Sequence, residues 1–314
     1  MQPSLTARGA RKRYGDTAAL DGFDLTVRSG TVHALLGPNG AGKSTAVGCL
    51  STLTRYDAGT AAVAGVDVRS RPREVRRRIG VVGQSAALDE LLHGRENLVL
   101  FGRLHGLTAR GAGARAEELL ARFDLTDAAD RKVSTYSGGM RRRLDIAVAL
   151  VRRPSLLFLD EPTTGLDPRA RNEVWATVRR VVEAGTTVLL TTQYLDEADQ
   201  LADAVTVMQR GRVIAGGTPG ELKTRLGGDR VIVTLPLAAR PDAVRDALAA
   251  GSAAPVLLDE ATRQVTVDAG DEGGAAALFR VVRTLDGSGV AVDDVVLRRP
   301  TLDEVFLHLT EVTR

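Results

Sequence analysis

The chain has a single cysteine, Cys49. It cannot close an internal disulfide, and it excludes a zinc site built on several cysteines. One thiol in 314 residues fits a reducing compartment. Long apolar runs are also missing. Ser155–Leu159 and Val188–Leu190 are strand-sized, far short of the ~20 residues a transmembrane helix needs. The amino-terminal stretch MQPSLTARGARKRYGD has no apolar core behind its charges, which argues against a secretory signal. The expectation is a soluble, cytoplasmic chain that docks on a membrane component. Repeats and low-complexity tracts are absent, and each motif below occurs once. Lysine is scarce (Lys12, Lys43, Lys132, Lys223), so arginine carries nearly all the positive charge, which reads as composition bias. His33, His93, His105 and His308 are too scattered to form a metal site.

What remains is ordinary for a folded protein. Hydrophobic residues make up 44% and charged residues 26%, which excludes wholly disordered, collagen-like and coiled-coil chains. The length predicts roughly two domains of ~150 residues each. The net charge of +3 is small and spread out, so it reads as a solvated basic surface, with no specific nucleic acid as partner.

Up to about Leu226–Asp229, apolar strand-like runs alternate with helical stretches, the pattern of a mostly parallel α/β sheet. Thr31–Leu36, Ile79–Val82, Leu156–Asp160, Thr187–Thr191 and Ala204–Met208 read as buried strands. Residues 88–150 read as a helical subdomain, clearest at Glu117–Phe123 and Met140–Val151. This divides the chain into a first domain over 1–227 and a small α+β domain over 228–314. In the second domain Arg230–Leu235, Pro255–Leu258, Gln264–Asp268 and Val290–Leu297 read as strands. Asp242–Ala250, Ala275–Leu285 and Leu302–Leu309 read as helices. The order βαββαβα resembles a ferredoxin-like half-sandwich.

Two motifs carry chemistry on their own. Gly37-Pro38-Asn39-Gly40-Ala41-Gly42-Lys43-Ser44-Thr45 follows a strand and opens a helix, matching the phosphate-binding loop. Glycines let successive N–H groups converge on phosphate oxygens, and the helix amino terminus adds a positive dipole end. Lys43 is expected to face the β and γ phosphates, and the Ser44 hydroxyl to ligate Mg²⁺. Leu156–Asp160 followed by Glu161 matches the Walker B pattern. Asp160 is expected to hold Mg²⁺ through water, and Glu161 to polarise the attacking water as general base. The fold class that follows is an α/β P-loop NTPase core with a helical subdomain, using ATP and Mg²⁺.

A third motif, Tyr136-Ser137-Gly138-Gly139-Met140, precedes a helix and resembles the signature of the ATP-binding subunits of ABC transporters. In that family the signature of one subunit caps the nucleotide on the other, so the resemblance implies a head-to-tail homodimer around two ATP molecules. Met140 stands where glutamine is usual. The same resemblance assigns Tyr14 to stacking on adenine, Gln84 to the Q-loop that touches Mg²⁺, and Gly165-Leu166-Asp167 to the D-loop at the dimer interface. The switch histidine is replaced by Gln193, which can donate a hydrogen bond but cannot ionise near pH 7. Thr191-Thr192-Gln193-Tyr194, Gly138–Arg143 and Pro300–Leu307 are similar to the daunorubicin-resistance, drug-export branch.

The resemblance therefore implies an ATPase subunit of an exporter of drugs or secondary metabolites. It is peripheral on the cytoplasmic face and partnered by an integral-membrane permease, with a docking surface near Gln84–Asn97. Three alternatives remain open: a non-transport ABC ATPase acting on nucleic acid or the ribosome, an importer subunit, and a nucleotide sensor without turnover. The first usually has two cassettes or a long insertion, and this chain has neither. The importer is disfavoured by the family likeness, and the sensor by an intact Walker B and Glu161. Cys49 and Trp175 read as packing residues, and Arg76-Arg77-Arg78 as a solvated helix face.

Overall fold

The computed structural model describes residues 3–224, 229–250, 255–270, 273–298, 301, 302 and 304. The chain packs as two units, Met1–Gly216 and Gly217–Arg314.

The first unit holds two sheets. One is antiparallel, with β1 (Pro3–Tyr14) paired to β2 (Thr17–Arg28) and to β4 (Ala58–Val63), which pairs in turn with β5 (Val66–Asp67). Sequence reasoning did not find this sheet. Register shifts between Ala7 and Ala10, beside Gly9 at φ 55°, break the two-residue alternation that marks a strand.

The second sheet has six strands in the order β10 (Arg212–Gly217), β9 (Ala204–Gln209), β3 (Val32–Leu36), β8 (Thr187–Thr192), β7 (Leu156–Asp160), β6 (Ile79–Val82). The pairs β9–β3, β3–β8, β8–β7 and β7–β6 are all parallel. β3, β7 and β8 are buried at every residue, so they read as continuous apolar runs, as parallel strands covered on both faces must. Helix α1 (Lys43–Leu50) packs against β2, β4 and β7. Leu5, Phe23, Val27, Val47, Val63 and Phe158 join in one core there.

Helix α2 (Pro72–Arg78) leads into β6 with Arg76 and Arg77 exposed, as a solvated face requires. The helical subdomain comprises α3 (Gly94–Leu104), α4 (Ala109–Arg122) and α5 (Gly138–Ala149). Helices α6 (Pro168–Glu183) and α7 (Leu195–Leu201) flank β8 in sequence.

The second unit opens with α8 (Pro219–Thr224). It continues β11 (Arg230–Thr234), α9 (Pro241–Ala250), β12 (Val256–Asp259), β13 (Gln264–Asp268), α10 (Gly274–Ser288) and β14 (Asp294–Arg298). Its antiparallel sheet has the order β12-β13-β11-β14, and both helices cover one face. Val231, Val233, Val265 and Val267 point to the helices and are fully buried. The last strand begins at Asp294 rather than Val290. Gly289 ends α10 in the left-handed region, and the Val290 N–H caps the carbonyl of Leu285, so Val290 serves the helix end. The final helix read over Leu302–Leu309, and the stretch Pro300–Leu307, fall almost wholly outside the described residues. No helix among the described residues is long and apolar enough to cross a membrane.

Candidate functional site

Because β3, β8, β7 and β6 run parallel, their carboxyl ends share one edge. Leu36, Thr192, Asp160 and Val82 end these strands, and the loops that follow carry Gly37–Gly42, Gln193, Glu161 and Gln84. Open α/β sheets gather ligand-binding groups along that edge.

The loop after β3 is fixed at several points. The Gly37 N–H donates to Thr192 O at 3.2 Å, the Ala41 N–H to Pro38 O at 3.2 Å, and the Gly211 N–H to Ala41 O at 2.9 Å. Gly42 sits at φ 102°, and a side chain there would collide with the carbonyl of Ala19. Glycine is therefore required by both conformation and space. Asn39 and Gly40 stay exposed at the tip, while Ala41 is buried. Lys43, Ser44 and Thr45 form the first turn of α1.

Lys43 is 4% exposed. Its ammonium donates to Gly37 O at 2.8 Å and Pro38 O at 3.0 Å, and it lies 3.4 Å from Glu161 Oε1. Asp160 is buried at the end of β7. Its Oδ1 accepts from Thr191 Oγ1 at 2.5 Å and from Ser44 Oγ at 3.3 Å. Glu161 follows with φ 48°, a left-handed conformation uncommon for a residue other than glycine. Its N–H donates to Thr191 O at 3.2 Å and Thr191 Oγ1 at 3.0 Å. Thr164 Oγ1 donates to Glu161 Oε2 at 3.4 Å.

Ser137 caps α5, accepting from the Met140 N–H at 3.2 Å, a contact worth about 1 kcal/mol. A Cβ on Gly139 would lie 2.9 Å from Ala170 Cβ, and one on Gly138 would lie 3.0 Å from Leu166 Cδ2. The two signature glycines thus allow α5 to approach the segment Gly165–Asp167 and the start of α6. Asp167 caps α6, accepting from the Ala170 N–H at 2.9 Å. A cavity of about 250 Å³ opens between these parts, lined by Gln84, Gly138, Arg141, Arg142, Glu161 and Thr164 among others.

The structure thus brings Lys43, Ser44, Asp160 and Glu161 into direct contact and sets Gln84 and Gly138 on one cavity with Glu161. Gln193 follows β8 on the same edge, partly exposed. Tyr14 ends β1 at 52% exposure, with the Lys12 ammonium 5.2 Å from its ring centre. Among the described residues no three His, Cys, Asp or Glu side chains cluster as a metal site. The candidate ligands are instead a hydroxyl, an amide and one carboxylate. This oxygen set suits a hard cation that keeps much of its water, and the contact between Ser44 and Asp160 already joins two of them.

Sequence reasoning missed three groups. Thr191 anchors both Asp160 and Glu161. Arg142 and Asp145, a buried pair one helical turn apart, bond to the backbone around Glu161 and Gln84. Their i, i+3 spacing on one helix is the only signal for them in the sequence. Glu197 is fully buried, and its Oε1 accepts from Thr163 Oγ1 at 2.9 Å and from Trp175 Nε1 at 3.1 Å. Burial pushes its carboxyl above the usual range, opposed by these hydrogen bonds. Trp175 therefore packs and donates. Cys49 is buried, and that burial lifts its thiol to about 11, so it stays protonated and inert.

A phosphate loop on a parallel sheet, with a buried carboxylate at the end of another strand and a second acid one residue on, defines a nucleotide-binding cassette of the P-loop NTPase class. The ABC transporter family matches residues 20–164. A daunorubicin resistance ATP-binding protein, DrrA2 of Streptomyces coeruleorubidus, is 56% identical over 307 residues, covering 98% of this chain and 95% of that one. The daunorubicin/doxorubicin resistance ATP-binding protein DrrA of Streptomyces peucetius is 52% identical over 313 residues, covering 98% and 92%. The solved structure of cbiO1 from Clostridium perfringens, part of the ABC transporter complex cbiONQ, superposes with a TM-score of 0.66 at 28% identity, covering 71% of this chain and 92% of that one. The chain belongs to the ATP-binding subunits of ABC transporters, in the branch of daunorubicin/doxorubicin-resistance ATP-binding proteins. It is an ATP-binding ATPase subunit, and subunits of this family dimerise and work with membrane permeases.

Proposed function

We propose that this chain binds Mg·ATP, pairs with a second copy around two nucleotides, and hydrolyses ATP to drive export of a drug or secondary metabolite. Export runs through a separate integral-membrane permease, with this subunit peripheral on the cytoplasmic face. The proposed ATPase domain spans residues 1–227 and the accessory domain residues 228–314, a boundary beyond Gly216, where the two compact units divide, so α8 is the connecting segment. The observation that carries the reading is the meeting of Lys43, Ser44, Asp160 and Glu161 at one sheet edge. The names of the relatives, resistance to daunorubicin and doxorubicin, supply the class of cargo.

Each residue has a role that follows from its chemistry. The N–H groups of Gly37–Thr45 and the α1 amino terminus bind phosphate oxygens. Lys43 neutralises charge on the β and γ phosphates. Ser44, Gln84 and Asp160 are the residues that would hold Mg²⁺, which would supply charge neutralisation to the phosphates. Glu161 orients and deprotonates the attacking water. Gln193 positions the γ-phosphate by donating a neutral hydrogen bond. Tyr14 offers its exposed ring to adenine. Ser137, Gly138 and Gly139 close over the nucleotide bound to the partner copy. Catalysis is positioning and charge stabilisation of an in-line transfer to water, with no covalent intermediate.

The test is the ATPase rate of the purified chain, alone and with a co-expressed membrane partner, with Glu161→Gln as control. Turnover that the control loses and that partner and drug alter supports the reading. Turnover indifferent to any membrane protein but stimulated by nucleic acid or ribosomes overturns it.

A further inference from the structure

One guanidinium holds the backbone on both sides of Glu161. Arg142, on α5, is buried. Its Nη2 donates to Asp160 O at 3.0 Å and its Nε to Pro162 O at 2.9 Å. These carbonyls flank the residue at φ 48°. The third arm of the fork, Nη1, donates to Gly83 O at 2.7 Å and lies 3.4 Å from Asp145 Oδ2. Asp145, also buried, accepts the Ala87 N–H on its other oxygen at 3.3 Å. The segment Gly83–Ala87, with Gln84 inside it, is therefore held at both ends by the same ion pair that holds Glu161.

Both charges pay for burial: desolvation lowers the Arg142 value and raises that of Asp145, and each opposes the shift of the other. A buried pair of this kind is weak evidence of stabilisation, since an apolar pair of similar volume often serves as well. Geometry is the better explanation. Only a planar fork with donors in three directions reaches three carbonyls on two separate segments, and lysine cannot.

We infer that Arg142, seated by Asp145, is a positioning residue that fixes the backbone of Glu161 and makes it follow the segment Gly83–Ala87. It acts on turnover through Glu161 and leaves nucleotide affinity alone. The inference rests on the proposed role of Glu161 in hydrolysis, but its structural half can be read without activity.

The experiment uses the full chain and Arg142→Lys, which keeps the charge opposite Asp145. The double variant Arg142→Gln/Asp145→Asn, which removes both buried charges together, replaces it if the single change does not fold. Three readouts are taken: steady-state ATPase, affinity for a fluorescent ATP analogue, and amide hydrogen exchange. A displaced catalytic group predicts a kcat about 10- to 100-fold lower, with analogue affinity changed by no more than about twofold. Exchange is expected to quicken in peptides covering 83–87 and 160–164 together. Combined with Glu161→Gln, Arg142→Lys adds no further loss, because the group it positions is already gone. Exchange that quickens in one segment only, or a loss confined to nucleotide affinity, overturns the inference. If the wild type shows no turnover, the hydrolysis reading fails by itself, while the exchange result still decides whether Arg142 ties the two segments.

Discussion

The two units build their sheets in opposite ways, and only one arrangement gathers chemistry. In the first unit the parallel strands β3, β7 and β8 are buried throughout, so their polar work is confined to the ends. Parallel direction then puts every carboxyl end on one side, where Lys43, Asp160 and Glu161 meet. In the second unit the antiparallel strands alternate. Val231 and Val233 face the helices, while β12 and β14 turn Leu257, Asp259, Asp294 and Val296 outward. Strand ends alternate between the two edges of that sheet, so loop groups of successive strands are dispersed. Burial on both faces and a shared direction make a site possible, and a half-covered antiparallel sheet serves packing.

The contrast is tested most severely at Glu161. Glu161→Gln keeps the shape and removes the proposed base, so kcat is expected to fall by about 10³-fold while ATP still binds, measured by phosphate release and by analogue fluorescence. A rate near that of the wild type would assign the base elsewhere. Lys43→Ala removes a buried cation, and ATP affinity is expected to weaken by about 100-fold, near 3 kcal/mol, in calorimetric titration. Retained micromolar affinity would contradict this.

The second unit is expected to respond only in stability. Val233→Ala opens a cavity between β11 and the covering helices and should lower unfolding free energy by about 2 kcal/mol, with ATP affinity unchanged. A shift in affinity would show that the two units are energetically linked and would break the contrast. Gln193→Ala should produce the smallest effect. Loss of one neutral hydrogen bond costs about 1 kcal/mol, so turnover should drop by no more than about 10-fold. If Gln193→Ala matched Glu161→Gln, the glutamine would carry chemistry rather than position.

Legibility in the sequence followed the range over which each feature is specified. The buried strands and the phosphate loop were legible because contiguous residues specify them. β6 and β7 lie where apolar runs predicted, and β3, β8 and β9 within a residue. β1 was not legible, because Gly9 and the register shifts scramble its period. Nor was the start of β14, where an apolar residue was taken by a helix cap. Asp160 and Glu161 could be read from their place at a strand end. Arg142 could not, since its partners are carbonyls of Gly83, Asp160 and Pro162, and any residue type supplies a carbonyl. Thr191 was assigned to a strand, but its hydroxyl bonds Asp160 and Glu161 at the end of a neighbouring strand that the sequence keeps far from it.

The backbone of Glu161 has one further consequence, for how this protein changes under selection. A left-handed residue with a side chain costs about 1 kcal/mol relative to glycine. Glu161→Gly would relieve that cost and keep the N–H bonds to Thr191. Against that relief stands the buried Lys43 ammonium 3.4 Å away, which glycine or asparagine would leave without its carboxylate. The strained backbone at Glu161 and the cation it faces are therefore coupled, and a change at either position is expected to alter which residues the other tolerates.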